Sequence, residues 1–323
     1  GKMARARPLT AALLAAAALV RAAPGQPSNA LLAGADEREW IGTAPHFLPS
    51  VTCIQIVALE NSKTLPTLLH ELDLMGMMHL VSYTLRPPDP DGKEAGCFRG
   101  HVDEWKAALD RGCGTTLMLE EDAVFDGPVL QQSMKHSEAF LAARGSDFDI
   151  LLLGWESNLF TGGHLKPSQR TKLAKTASQC IYEVHCWFET HAYIISQPMM
   201  RKYSTLVYNG TAIDALLEAS YDRDRFYVVR PKLAFQSLHS SQAVSQSAQA
   251  AQTDGKAEQI NETPLTFYRD EEPKVFARNN ITSPPECLPP ADAYTGAPPL
   301  LEPPPHEFPV VPKPSPSPEA VAR

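Results

Sequence analysis

The chain has 323 residues, 43% of them hydrophobic, and a formal net charge of −8. That is enough apolar material for one large domain or two small ones. The acidity, with no basic cluster anywhere, argues against a nucleic-acid partner, which needs a basic face, and offers nothing to an anionic membrane surface.

Arg5 and Arg7 lead into an apolar run, Leu9–Val20, and then into small residues up to Ala23. A positive start, a short apolar centre and a small-residue cut site read as a signal peptide over 1–23. Twelve residues fall short of the roughly 20 that span a bilayer. An uncleaved anchor and an Ala/Arg-rich transit peptide are the alternatives. The export reading places the protein in the ER or Golgi lumen or outside the cell. Sequons at Asn209, Asn261 and Asn280 agree with that route. Six cysteines leave the disulfide pairing open.

Residues 24–50 are small, polar and Pro-containing, and read as a linker. A strand is expected over 51–59, then a helix with Leu65, Leu68, Leu69 and Leu72 at helical spacing, then a strand over 78–85. A Pro/Gly loop follows, and a short helix from His101 to Leu109 ends before Gly112. The next strand runs into Glu120, Glu121 and Asp122, and a helix covers 128–143. FDILLLG is a continuous apolar strand, as expected where both faces are covered. Strand and helix in alternation predict a parallel α/β sheet. Residues 155–180 read as a loop over the site, AYIIS as a strand, QPMMRKYSTLV as a helix, and 227–229 with 233–235 as strands closing the sheet. Ser/Gln/Ala-rich and then Pro-rich sequence over 242–323 reads as a disordered tail.

Three carboxylates at the end of a strand are the strongest chemical signal, because ligands bind at the carboxyl ends of strands in open α/β sheets. Such groups repel unless solvated or shared with a cation, and oxygen-only ligands suit Mn²⁺ or Mg²⁺. Glu120 and Asp122, two apart, would share one face of an extended strand, while Glu121 would point away. A solvated acidic turn is the plain alternative. Asp214 precedes a helix and by position reads as an N-cap; the site role that rivals this comes from the resemblance given below. His101, at the expected start of its helix, could help hold a phosphate. Trp105 reads as core, His239 as a surface histidine. Cys180, His185, Cys186 and His191 lack the C-x₂₋₄-C spacing of structural zinc sites, so a disulfide or buried thiols are expected there.

Taken together, GCFRGHVDEWKAALDRG (96–112), TTLMLEEDAVFD (115–126), DFDILLLGWE (147–156), THAYIISQPMMRKYS (190–204) and AIDALLEASYDRDRFYVVRPKLAFQ (212–236) resemble, in this order, glycosyltransferase family 25. That group contains lipooligosaccharide and procollagen galactosyltransferases. The resemblance spans about 51–241 and implies a GT-A-like nucleotide-sugar-binding sheet with flanking helices. It implies inverting transfer of a hexose, galactose in the family, from a UDP-sugar to a hydroxyl of a protein or glycan. Mn²⁺ (or Mg²⁺) would lie on Glu120 and Asp122, the donor against His101 and Glu121, and Asp214 would serve on the acceptor side. The family's Ser-His stands here as Gly100-His101, its Glu-Asp-Asp as Glu120-Glu121-Asp122, and its opening Asn-Leu segment is reduced to Leu59 and Lys63. These departures keep open a transferase-like protein that binds carbohydrate or acts in adhesion without transfer. A metal-dependent phosphohydrolase using the same carboxylates is a third reading.

Overall fold

Alternation along β1 (Cys53–Leu59) sends Ile54, Ile56 and Ala58 to one face of the central sheet and Cys53 and Val57 to the other. The structure, a computed structural model, describes residues 48–157, 171–237 and 272–289. After β1 come α1 (Leu65–Leu74), a 3₁₀ turn, β2 (Val81–Arg86), α2 (Lys93–Asp110), β3 (Thr116–Glu120), β4 (Ala123–Phe125), α3 (Gly127–Arg144), β5 (Ile150–Leu152) and β6 (Glu156–Ser157). Then follow β7 (Lys172–Lys175), β8 (Ile181–His185), β9 (Trp187–Phe188), β10 (Ala192–Ile195), α4 (Gln197–Tyr203), α5 (Ile213–Glu218), β11 (Phe226–Val229) and β12 (Ala234–Gln236). A last helix, α6, covers 272–278.

Eight strands form the main sheet in the order β2-β1-β3-β10-β5-β11-β8-β7. Parallel pairing joins β2, β1 and β3, and again β5 and β11. β10 enters the middle reversed, antiparallel to β3 and to β5. The expected parallel sheet is therefore mixed: six of its eight strands point one way, while β10 at the centre and β8 near the far edge run against them. Helices α1 and α3 cover one face through Leu68, Leu72, Met134 and Phe140. The other face is covered by α2, α4, α5 and α6 through Phe98, Trp105, Met200, Leu217 and Phe276. Among the described residues no helix is long and apolar enough to cross a membrane.

The strand expected over 78–85 starts only at Val81, the helix expected through Val207 stops at Tyr203, and four larger differences stand beside these. First, α2 begins at Lys93, not His101, because its two glycines are packing residues and not breakers. A Cβ at Gly100 would lie 2.5 Å from Val57 Cγ1, and one at Gly96 3.0 Å from Asp89 Cβ. Second, part of the loop expected over 155–180 is strand: β7 pairs with β8, and β6 with β9. Third, β12 leaves the main sheet and pairs with β4.

Fourth, the domain outruns 51–241 at both ends. Leu48 is fully buried, and Ser50 bonds Glu138 through its N–H and its hydroxyl. Residues 272–289, expected in the tail, are packed: Val275, Phe276 and Cys287 are buried, and Asn279 Oδ1 accepts the Leu173 N–H. Two disulfides, Cys53–Cys113 and Cys180–Cys287, fix the start of β1 and this C-terminal segment. The expected leader, the expected linker up to residue 47 and the rest of the expected tail lie outside the described residues.

Glu71 ties α1 to the edge of the site. Its carboxylate accepts the Phe125 N–H at 3.3 Å. Burial pushes its pKa from the ordinary 4.5 up to about 7, against the pull of that N–H. The folded state therefore binds this proton more tightly than the unfolded chain. Stability falls as pH rises from about 4.5 towards 7, by a contribution on the order of 3 kcal/mol. Glu71→Gln keeps the acceptor and removes the ionisation. Urea unfolding across that range is expected to show a flatter loss of stability in the variant, with the larger gain at alkaline pH.

Candidate functional site

Leu117 and Leu119 of β3 point into one core, so Met118 and Glu120 face α2 on the other side. Glu120 ends the strand. Its Oε1 lies 3.3 Å from His101 Nε2, 3.0 Å from Thr190 Oγ1 and 3.9 Å from Cys97 Sγ. His101 sits in the middle of α2, fully buried, away from the helix end where a phosphate would be held. Its Nδ1 lies 2.9 Å from Tyr193 Oη, which accepts the Trp105 Nε1–H at 3.0 Å. With the ring proton on Nε2, the chain closes without a conflict. Trp105 donates to Tyr193, Tyr193 to His101, and His101 to Glu120. Burial would raise the Glu120 pKa, but His101, His191 and Thr190 outweigh it and hold the carboxyl below its usual range.

Reversal of β10 brings a strap, Glu189–His191, to the same place. His191 O accepts the Glu120 N–H at 2.8 Å. Glu189 has φ 71° and gives its N–H to Asp214 Oδ2 at 3.2 Å. Asp214 lies in the first turn of α5, whose N-cap is Ala212, so it is not the cap. Its other oxygen accepts the Ala215 N–H at 2.7 Å. Burial raises the Asp214 pKa, the two backbone N–H groups oppose this, and the charges of Glu120 and Glu189 add to it. The Cys97 thiol is pushed well up by burial and by Glu120, Asp214 and Asp122, so it stays protonated.

Behind the strap, His191 Nδ1 lies 3.2 Å from Glu189 Oε2 and Nε2 lies 3.2 Å from Ala234 O. Burial works against protonation of His191, but Glu189, Ala234 O and Glu120 prevail and raise its pKa. Deeper still, Lys232 Nζ donates to Glu156 at 2.8 Å, and burial pushes Glu156 up to about 7 despite that partner.

Of the residues expected from sequence, Glu120 and His101 meet, and Asp214 is bound to the strap that adjoins them. Glu121 turns back instead: its Oε2 accepts the Leu59 N–H at 2.5 Å and closes the end of β1. Asp122 is buried, and its backbone carbonyl accepts the Ser237 N–H at 2.7 Å. Because β3 ends at Glu120, the alternation that would align the two carboxylates stops there. Asp149 accepts the Arg225 N–H at 2.8 Å, a bond at the start of β5. Cys180 is tied up in its disulfide, and His239 lies outside the described residues.

Sequence reading missed Cys97, Thr190, Glu189 and Tyr193. The Cys97–His101 spacing of four would have shown the first, had α2 been started before the glycines. Among the described residues, one group of His, Cys or acidic side chains has ligand atoms mutually within 4.8 Å: Cys97, His101 and Glu120. Sulfur, nitrogen and one carboxylate oxygen do not fit the oxygen-only set expected for Mn²⁺ or Mg²⁺.

No family model and no curated protein matches the chain by sequence. Solved structures resemble it weakly. A197 from STIV matches at 14% identity over 58% of this chain and 85% of its own, with a TM-score of 0.37. UDP-glucose pyrophosphorylase complexed with UDP-glucose matches at 12% over 52% and 65%, with a TM-score of 0.32. The inositol-1-phosphate CTP transferase from T. maritima matches at 10% over 55% and 84%, with a TM-score of 0.29. Likeness of this size carries no argument about activity.

Gly154 marks how tightly the site is closed from behind. A Cβ there would lie 1.9 Å from His191 Nε2 and 2.7 Å from Ala234 O. Gly154→Ala is expected to destabilise the fold by roughly 1–3 kcal/mol or more through overpacking. Gly127→Ala, which meets nothing within 4 Å, serves as the control in the same denaturant series.

Proposed function

We propose that the chain transfers a hexose from a nucleotide sugar to a hydroxyl group of a protein or glycan. The observation that carries this reading is the contact of Glu120 with His101, with Asp214 bound to the adjoining strap, at the carboxyl end of β3 in an open α/β sheet, where such folds bind ligands. Asp214 is half-buried, fixed by two backbone N–H groups, and more basic than an ordinary aspartate. These are the properties of a general base. In the inverting reaction the acceptor oxygen forms a bond to the anomeric carbon as the bond to the nucleoside diphosphate breaks. The acceptor proton passes to Asp214. His101 holds Glu120 in place on the donor side. UDP and galactose rest on the resemblance to family 25.

A second reading is a transferase-like protein that binds carbohydrate without transfer. The engagement of Glu121 with β1 favours it, since that carboxylate is no longer free to meet a ribose.

Calorimetric titration of UDP and UDP-galactose into the full chain, with and without Mn²⁺, separates the two, followed by transfer to a panel of glycan and peptide acceptors. Asp214→Asn is expected to keep donor binding and to lower transfer by at least about 100-fold. Wild-type transfer should rise with pH through a titration above the usual aspartate range. Absence of any nucleotide binding in the folded protein would sink the transfer reading.

A further inference from the structure

Cys97 and His101 stand four residues apart on α2, so their side chains leave one helix face side by side. The end of β3 delivers Glu120 against both. Nε2 to Oε1 is 3.3 Å, Sγ to Oε1 is 3.9 Å, and all three ligand atoms lie within 4.8 Å of one another. Around a tetrahedral ion with bonds of about 2.0–2.3 Å, neighbouring ligands stand about 3.3–3.8 Å apart. The His101–Glu120 separation lies within that range, and the Cys97–Glu120 separation lies just beyond its upper end.

We propose that Cys97 Sγ, His101 Nε2 and Glu120 Oε1 form a binding site for a zinc-class divalent ion, with a fourth position open towards the site. A thiolate, an imidazole and one carboxylate select zinc over magnesium or manganese. Three protein ligands and one open position are the pattern of reactive, not purely structural, zinc sites.

Around the three ligands the outer contacts are already in place. Tyr193 Oη holds the second nitrogen of His101 and is itself fixed by Trp105, and Thr190 holds Glu120. Partners of this kind set ligand orientation. His101 is fully buried, whereas Cys97 and Glu120 are partly exposed and give the ion an entry. On binding, the thiol proton leaves to solvent and the sulfur takes the ion. The His101 ring proton is exchanged from Nε2 to Nδ1, which then donates a hydrogen bond to Tyr193 Oη, and Nε2 is freed for the metal. The site stands without the transfer reading and does not depend on it.

The full chain, freed of metal by a chelator with its disulfides intact, is titrated with Co²⁺ as an optical substitute and then with Zn²⁺. The expected result is the intense visible bands of four-coordinate cobalt with a near-ultraviolet thiolate-to-cobalt band, both displaced by one equivalent of zinc. Cys97→Ser should abolish the thiolate band, and Cys186→Ser, at the other cysteine outside the disulfides, should keep it. Tyr193→Phe should weaken zinc binding at least about tenfold, as loss of an outer-shell partner does.

Weak six-coordinate bands overturn the proposal, as does a thiolate band that persists in Cys97→Ser. So does the absence of binding in protein shown by circular dichroism to be folded. Titration of UDP into the same samples reads the transfer proposal separately, because its failure leaves the cobalt spectrum unchanged.

Discussion

Everything at the candidate site depends on one strand running the wrong way. A parallel sheet delivers its strand ends, and the loops after them, to one edge. β10 arrives at that edge from the opposite direction, hydrogen-bonded between β3 and β5. Its leading residues thus stand beside the trailing ends of its neighbours. His191 O takes the Glu120 N–H, and Ala192 O takes the N–H groups of Leu153 and Gly154. The backbone bonds that any antiparallel pair makes are here also the bonds that carry Glu189, Thr190 and His191 to Glu120 and Asp214. A purely parallel sheet has no strand start at this edge, and the site would lose one of its walls.

Several carboxylates share this small space, and their surroundings set them apart. Glu120 keeps its charge because two histidines and a hydroxyl offset its burial. Asp214 and Glu121 are both raised by burial, each against the pull of backbone N–H groups. Glu156, furthest back, is raised to about 7 even with a lysine on it. Like charges that cannot all ionise at once spread their affinities for protons. The spread leaves a charged Glu120 near a more basic Asp214.

Much of this was legible in the sequence. The apolar runs gave β1, β2, β3, β5, β10 and β11, the leucine spacing gave α1, and the break from Leu119 into Glu120 marked the end of a strand. Two things were hidden. Gly96 and Gly100 look like breakers because their Cβ-free backbones are rare in helices, yet their purpose is set by Val57 and Asp89, which lie elsewhere in the chain. Missing that start put His101 at a helix end and hid Cys97 beside it. Pairing direction was hidden as well. AYII reads as an apolar strand whichever way it runs, and only its neighbours decide. The fate of Glu121 followed from the same limit, since its partner is a backbone N–H more than 60 residues away.

The Cys180–Cys287 bridge has a consequence for covalent topology. It closes a ring through the backbone that contains β8 to β12, α4, α5 and α6. Any single peptide-bond cleavage between those two cysteines leaves one molecule held by sulfur, with α6 still tethered to the strand it packs beside. Gel mobility without reductant would report an uncut mass for such a chain, and only thiol treatment would release the pieces. For this protein, an intact band under oxidising conditions is therefore no evidence of an intact backbone.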